Sequence, residues 1–151
     1  MIDEQILMQE AFKMAEKALE ADEVPVGAII TYKNQIIARA HNQVELLKDP
    51  TAHAEMIAIT QAASYLTSKW LEECSMYVTL EPCSMCAGAL VLSRIKLLYF
   101  GARDPKTGAC GSIYNIVQDE RLNHRLEVFS GVLAKECGEL LSNFFEKRRR
   151  F

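Results

Sequence analysis

Five residues of this chain have the types and spacing to do metal chemistry: Pro82, Cys83 and Cys86 in a Pro-Cys-Ser-Met-Cys run, and His53 with Glu55 thirty positions upstream. Cysteine thiolate and neutral imidazole are ligands that zinc prefers. Two cysteines three apart at the start of a helix lie almost above one another and can grip one ion. Pro82 suits a first helical position, where its missing N–H is not needed. Cys83 and Cys86 then fall in the opening turns, and the helix's positive end favours their thiolate forms. His53 and Glu55 are two apart, roughly 200° around a helix, so mid-helix they could not share a cavity. At a helix N-terminus they can. Thr51, just after Asp49-Pro50, reads as the N-cap that puts both in the first turns. Three ligands, His53, Cys83 and Cys86, leave a fourth position open to water, the arrangement of a catalytic rather than a structural zinc. Zinc lowers the pKa of such a water toward neutrality. Glu55, not itself a ligand, is then the acid/base that takes the water's proton and passes it on.

The elements that must position these groups read from the periodicity. Residues from about Asp3 to Ala21 form an amphipathic helix, with Leu7, Ala11, Met14 and Ala18 recurring at helical spacing. Ala28 to Tyr32 and Ile36 to Ala40 form an antiparallel pair around Lys33-Asn34-Gln35. Ala52 to Leu66 is the first metal-bearing helix. Ser75 to Leu80 is a third strand, and Pro82 to about Leu92 the second metal-bearing helix. Leu97 to Phe100 is a fourth strand, parallel to the third because a helix connects them. Leu126 to Phe129 is a last strand, and about Leu133 to Arg150 a closing helix. Trp70 is assigned to the core. This order predicts an α/β domain with helices on both faces of one sheet.

Asn42 can donate and accept, which suits a purine edge, and equally suits a loop turn. His41 is a candidate extra ligand or a structural residue. His124 reads as a loop or surface residue. Lys147 to Arg150 are four consecutive cations at a helix C-terminus, where solvation and RNA contact are both open readings. Phe145 and Phe151 among those cations can stack bases, which tilts the balance toward RNA.

Length and composition bound the rest. At 151 residues, half of them apolar and a quarter charged, the chain fits a single domain spanning 1–151. The net charge of −3 excludes a uniformly basic surface, although residues 1–23 hold seven acids against two lysines, leaving the basic tail as a local patch. Of five cysteines, Cys74, Cys110 and Cys137 remain once the two ligands are removed, and no disulfide framework is suggested. No basic-then-apolar leader opens the chain, and no apolar run approaches a membrane span. The expectation is a soluble, cytoplasmic protein with no membrane partner.

His-x-Glu followed by Pro-Cys-x-x-Cys resembles the signature of zinc-dependent nucleoside and nucleobase deaminases. The resemblance extends over nearly the whole chain to the bacterial tRNA-specific adenosine deaminases, through Glu23-Val24-Pro25-Val26-Gly27-Ala28, Ala40-His41-Asn42, Gly101-Ala102-Arg103-Asp104-Pro105-Lys106-Thr107-Gly108, Asn123-His124-Arg125 and Leu141-Ser142-Asn143-Phe144-Phe145. It implies a three-layer α/β/α cytidine-deaminase-like fold with a central mixed five-stranded sheet, and a homodimer. It implies one zinc per subunit on His53, Cys83 and Cys86, with Glu55 as proton shuttle. Zinc-bound hydroxide would attack C6 of the wobble adenosine in a tRNA anticodon stem-loop, the family pointing to a tRNA-Arg with anticodon ACG. By the same resemblance Asn42 and the Ala54 backbone would hold the base, and Val26 would line the pocket. Asp104 and Asn123 would sit near flanking nucleotides, and Arg148 would touch the anticodon loop. Two alternatives stay open: a deaminase of free guanine, cytosine or a nucleotide such as dCMP, and a non-enzymatic module. A structural zinc would need a fourth ligand from His41, Cys110 or His124, and a redox Cys-x-x-Cys would hold no stoichiometric metal.

Overall fold

The computed structural model describes residues 3–149. Arg150 and Phe151, which belong to the basic tail discussed above, lie outside them. Asp3 caps α1 (Glu4–Glu20) by accepting the Gln5 N–H, and Leu7, Met8, Ala11, Met14, Ala15 and Ala18 form its buried stripe. The strands are β1 (Gly27–Tyr32), β2 (Gln35–His41), β3 (Cys74–Leu80), β4 (Leu97–Ala102) and β5 (Glu127–Ser130). The remaining helices are α2 (Val44–Leu47), α3 (Ala54–Leu66), α4 (Ser84–Ser93) and α5 (Ala134–Arg149). The five strands lie in the order β2-β1-β3-β4-β5. β1 is antiparallel to β2 and β3, while β3-β4 and β4-β5 are parallel, so the sheet is mixed, as expected.

Strand alternation sorts the core into two layers. Ile29, Tyr77 and Tyr99 point to the face covered by Leu7, Met8 and Ala11 of α1. Ala28, Ile30, Met76, Val78, Leu98 and Phe100 point to the other face, against Ala54, Ala58 and Ala62 of α3 and Ala87 and Leu90 of α4. The small buried residues of α3 suit close packing on the sheet. On the other face α1 packs close to β1: a Cβ on Gly27 would lie 2.1 Å from the Ala11 carbonyl oxygen. Tyr77, Tyr99 and Phe129 stack as a row of rings across β3, β4 and β5.

Three expectations change. The two helices expected to bear the metal ligands start two residues later than their patterns suggest: His53 (φ −77, ψ 152) and Cys83 (φ −74, ψ 177) are extended N-caps, so neither Thr51 nor Pro82 opens its helix. Trp70 is 39 % exposed rather than core, with the Lys69 and Arg94 cations over its ring. The four-residue α2 was not foreseen, since one turn is too short to show a period.

Candidate active site

His53 and Cys83 occupy N-cap positions, yet neither side chain caps its own helix. An N-cap residue normally folds its side chain back onto the first-turn N–H groups. Here both turn instead toward the space between the two helix ends, where Cys86 joins them from the first turn of α4. The His53 Nδ1 lies 3.6 Å from Cys83 Sγ and 3.6 Å from Cys86 Sγ. All three ligand atoms fall within 4.8 Å of one another, and among the described residues no other group of His, Cys, Asp or Glu has this form. At bond lengths of about 2.3 Å to sulfur and about 2.05 Å to nitrogen, a tetrahedral zinc spaces S and N about 3.6 Å apart. The donor set and its spacing therefore fit such an ion.

Electrostatics at the cluster follow from proximity. The Cys86 thiol, hydrogen-bonded to Cys83, holds the Cys83 sulfur down at about 4, and the same bond with burial pushes Cys86 well up. The hydrogen bond to Cys83 raises the His53 imidazole. Glu55, in the first turn of α3 and 4 % exposed, is pushed up to about 7, chiefly by burial. A carboxyl poised there can hold and release a proton near neutral pH.

These groups open into a cavity of about 590 Å³, within the range of small-molecule sites. His53, Glu55 and Cys83 line it, together with Val26, Asn42, Asp104 and Arg148. Asn42 is buried, and its Oδ1 accepts the Ala54 N–H at 2.8 Å. That bond orients the amide and leaves its Nδ2 donors for a ligand. Ala54, fully buried, thus stands behind Asn42 with its N–H already bonded. The Asp104 carboxylate accepts from Lys106 N, Thr107 N and Thr107 Oγ1, building its own loop. The Arg148 guanidinium donates to the Asp22 carbonyl at 2.8 Å and stacks on Phe144. Phe144 and Phe145 also line the cavity. Asn123 does not: it lines a separate cleft of about 300 Å³ with Trp70, Arg94 and His124.

The comparisons with known proteins decide the family. The MafB19-like deaminase family matches residues 2–149. The tRNA-specific adenosine deaminase of Bacillus subtilis (strain 168) is 51 % identical over 99 % of this chain and 93 % of its own length. That of Aquifex aeolicus (strain VF5) is 53 % identical over 92 % of this chain and 91 % of its own. The chain belongs to the tRNA-specific adenosine deaminase family. A solved structure from work on A-to-I editing by tRNA:A34 deaminases superposes with a TM-score of 0.87 and 41 % identity, covering 90 % of this chain and 99 % of that one.

In the deaminase, the candidate fourth ligands of a structural zinc lie outside the cluster. His41 Nδ1 bonds the Asn42 carbonyl, and His124 Nε2 bonds the Ile95 carbonyl at the end of α4. Cys110 is buried 4.0 Å from the Pro82 carbonyl and outside the cluster. Cys74 and Cys137 are buried, and burial pushes their thiols up to about 11 and about 12. Sequence reasoning passed over two acids, Glu23 and Glu81, buried at the cavity wall. Burial would raise Glu81, but hydrogen bonds from Ser112, Asp104 and Cys110 outweigh it and hold its carboxyl below the ordinary value. Their one sequence signal is a carboxyl set inside an apolar run, as in Val78-Thr79-Leu80-Glu81-Pro82.

Proposed function

We propose that this chain, as a single zinc-dependent domain working as a cytoplasmic homodimer, converts the wobble adenosine of a tRNA anticodon to inosine, with tRNA-Arg (ACG) as substrate. The observation that carries the reading is the His53–Cys83–Cys86 cluster beside buried Glu55, in a chain half identical to tRNA-specific adenosine deaminases. His53, Cys83 and Cys86 hold the zinc, which when bound supplies the Lewis acidity that brings a water's proton within reach of a carboxylate. Glu55 takes that proton as the water oxygen bonds to C6. It delivers the proton to N1, then takes the second and delivers it to the departing amine. Water and adenosine become inosine and ammonia, with protons balanced.

Asn42 Nδ2 donates to an acceptor on the purine edge, and Val26 packs on the ring. The anticodon loop is single-stranded, so turning the base into the cavity costs no base pair. Phe145 offers a face to a neighbouring base and Lys147 to Arg150 meet phosphates. No helix among the described residues is long and apolar enough to cross a membrane.

Glu55→Ala removes the proton carrier and no ligand. The variant is expected to keep one zinc per chain by metal analysis while deamination falls by about 10²–10⁴-fold or more. Turnover at the native rate would contradict the assignment of Glu55, and loss of zinc would make it a ligand.

A further inference from the structure

Two buried carboxylates take no part in the reaction above. Glu23 is 1 % exposed and Glu81 is 2 % exposed, and both line the cavity. Each spends its oxygens on backbone N–H groups of a distant segment. Glu81 Oε1 accepts from Asp104 N at 3.0 Å and from the Ser112 hydroxyl, and its Oε2 accepts from Cys110 N and Ser112 N at 3.0 Å each. A carboxylate has about four lone-pair sites, so Glu81 is fully committed and cannot serve as a proton carrier. Glu23 is bidentate, accepting Glu45 N at 3.0 Å through Oε1 and Leu46 N at 2.9 Å through Oε2. Those are first-turn donors of α2, whose N-cap Gln43 makes no side-chain cap.

We propose that Glu23 and Glu81 are positioning residues that hold the two segments flanking the cavity mouth, α2 and the 104–112 loop, where they can receive the nucleotides around the target base. This rests on the proposed tRNA substrate. Both segments reach the cavity, through Val44 and Glu45 on one side and Asp104 and Thr107 on the other. Without a carboxylate behind them, five backbone N–H groups in short, irregular segments would have no partner in the protein. The loop closes so tightly on Glu81 that a Cβ on Gly108 would lie 2.4 Å from its Cδ. The same loop is tied to the start of the metal-bearing helix by Ala109 N to the Pro82 carbonyl at 2.9 Å. Glu81 therefore sets the loop against the metal ligands, and Glu23 does the same for α2 from the end of α1.

Glu→Gln is isosteric and turns an acceptor oxygen into a donor that faces other donors. Hydrogen exchange of the zinc-loaded protein reads the anchoring directly. Glu81→Gln is expected to speed amide exchange in 104–112 by about tenfold or more and to leave 44–47 unchanged, and Glu23→Gln to do the reverse. Steady-state kinetics on an anticodon stem-loop should show KM raised about tenfold with kcat within about threefold, and zinc still at one per chain. Adding Asp104→Ala to Glu81→Gln should raise KM no further, because both act through one loop. Ser112→Ala, which removes one of the four bonds, supplies a milder version should Glu81→Gln fold poorly. Unchanged exchange in the facing segment, a fall in kcat alone, additivity with Asp104→Ala, or loss of zinc would each overturn the proposal. A wild-type protein inactive on the stem-loop would refute the substrate, while exchange still decides the anchoring.

Discussion

Asn42 Oδ1 is bonded to the Ala54 N–H, so this one amide joins the loop after β2 to the first turn of α3, and its Nδ2 is left for the base-holding role proposed above. The two roles separate by substitution. Asn42→Ala removes both, and the buried Ala54 N–H left without a partner costs about 1–3 kcal/mol. Asn42→Asp keeps the acceptor, at a helix N-terminus that favours an anion, and removes the donor. The expected outcome is a lowered unfolding midpoint for Asn42→Ala only, and a raised KM for both. A KM unchanged in Asn42→Asp would remove Asn42 from the base-holding set. At this scale the clustering of His53, Cys83 and Cys86 was legible because metal chemistry demands particular residue types. Glu23 and Glu81 were not, because an acid that binds backbone N–H groups looks in sequence like any other acid.

At the scale of elements, two helix N-termini must meet over a sheet. The β3–α4–β4 crossover brings Cys83 and Cys86 to one end, and α3, packed by Ala54, Ala58 and Ala62, brings His53 and Glu55 to the same end. Periodicity and connection length exposed the strands, the parallel pair and the long helices. They missed the helix starts by two residues, because an N-cap whose side chain turns away from its own helix carries no cap signature. They misplaced Trp70, since an aromatic stacked under cations is indistinguishable in sequence from a core residue. Gly27 of β1 lies close against α1, where a Cβ would meet backbone atoms of Ala11, Met14 and Ala15 within 2.8 Å. Backbone cannot yield as a side-chain tip can. Gly27→Ala is expected to cost about 1–3 kcal/mol or more and to lower the midpoint of thermal unfolding. An unchanged midpoint would mean that α1 is free to shift away from the sheet.

At the scale of the molecule, a chain of net charge −3 is proposed to bind a polyanion, so its cations must be placed where the substrate lies. Arg148 stands at the cavity rim on α5, held by the Asp22 carbonyl and Phe144. Replacing Lys147 to Arg150 with alanine should weaken stem-loop binding more at low than at high salt, lowering the salt slope by up to about three. An affinity independent of these four would return the tail to a solvated helix end. The most direct test of the account is the reaction itself. The zinc-loaded protein is incubated with an ACG-anticodon stem-loop and, separately, with free adenosine, guanine and cytidine, and inosine and ammonia are measured. Inosine at the wobble position alone, with no ammonia from the small molecules, is the predicted result. Ammonia from a free base or nucleoside with none from the RNA would contradict it.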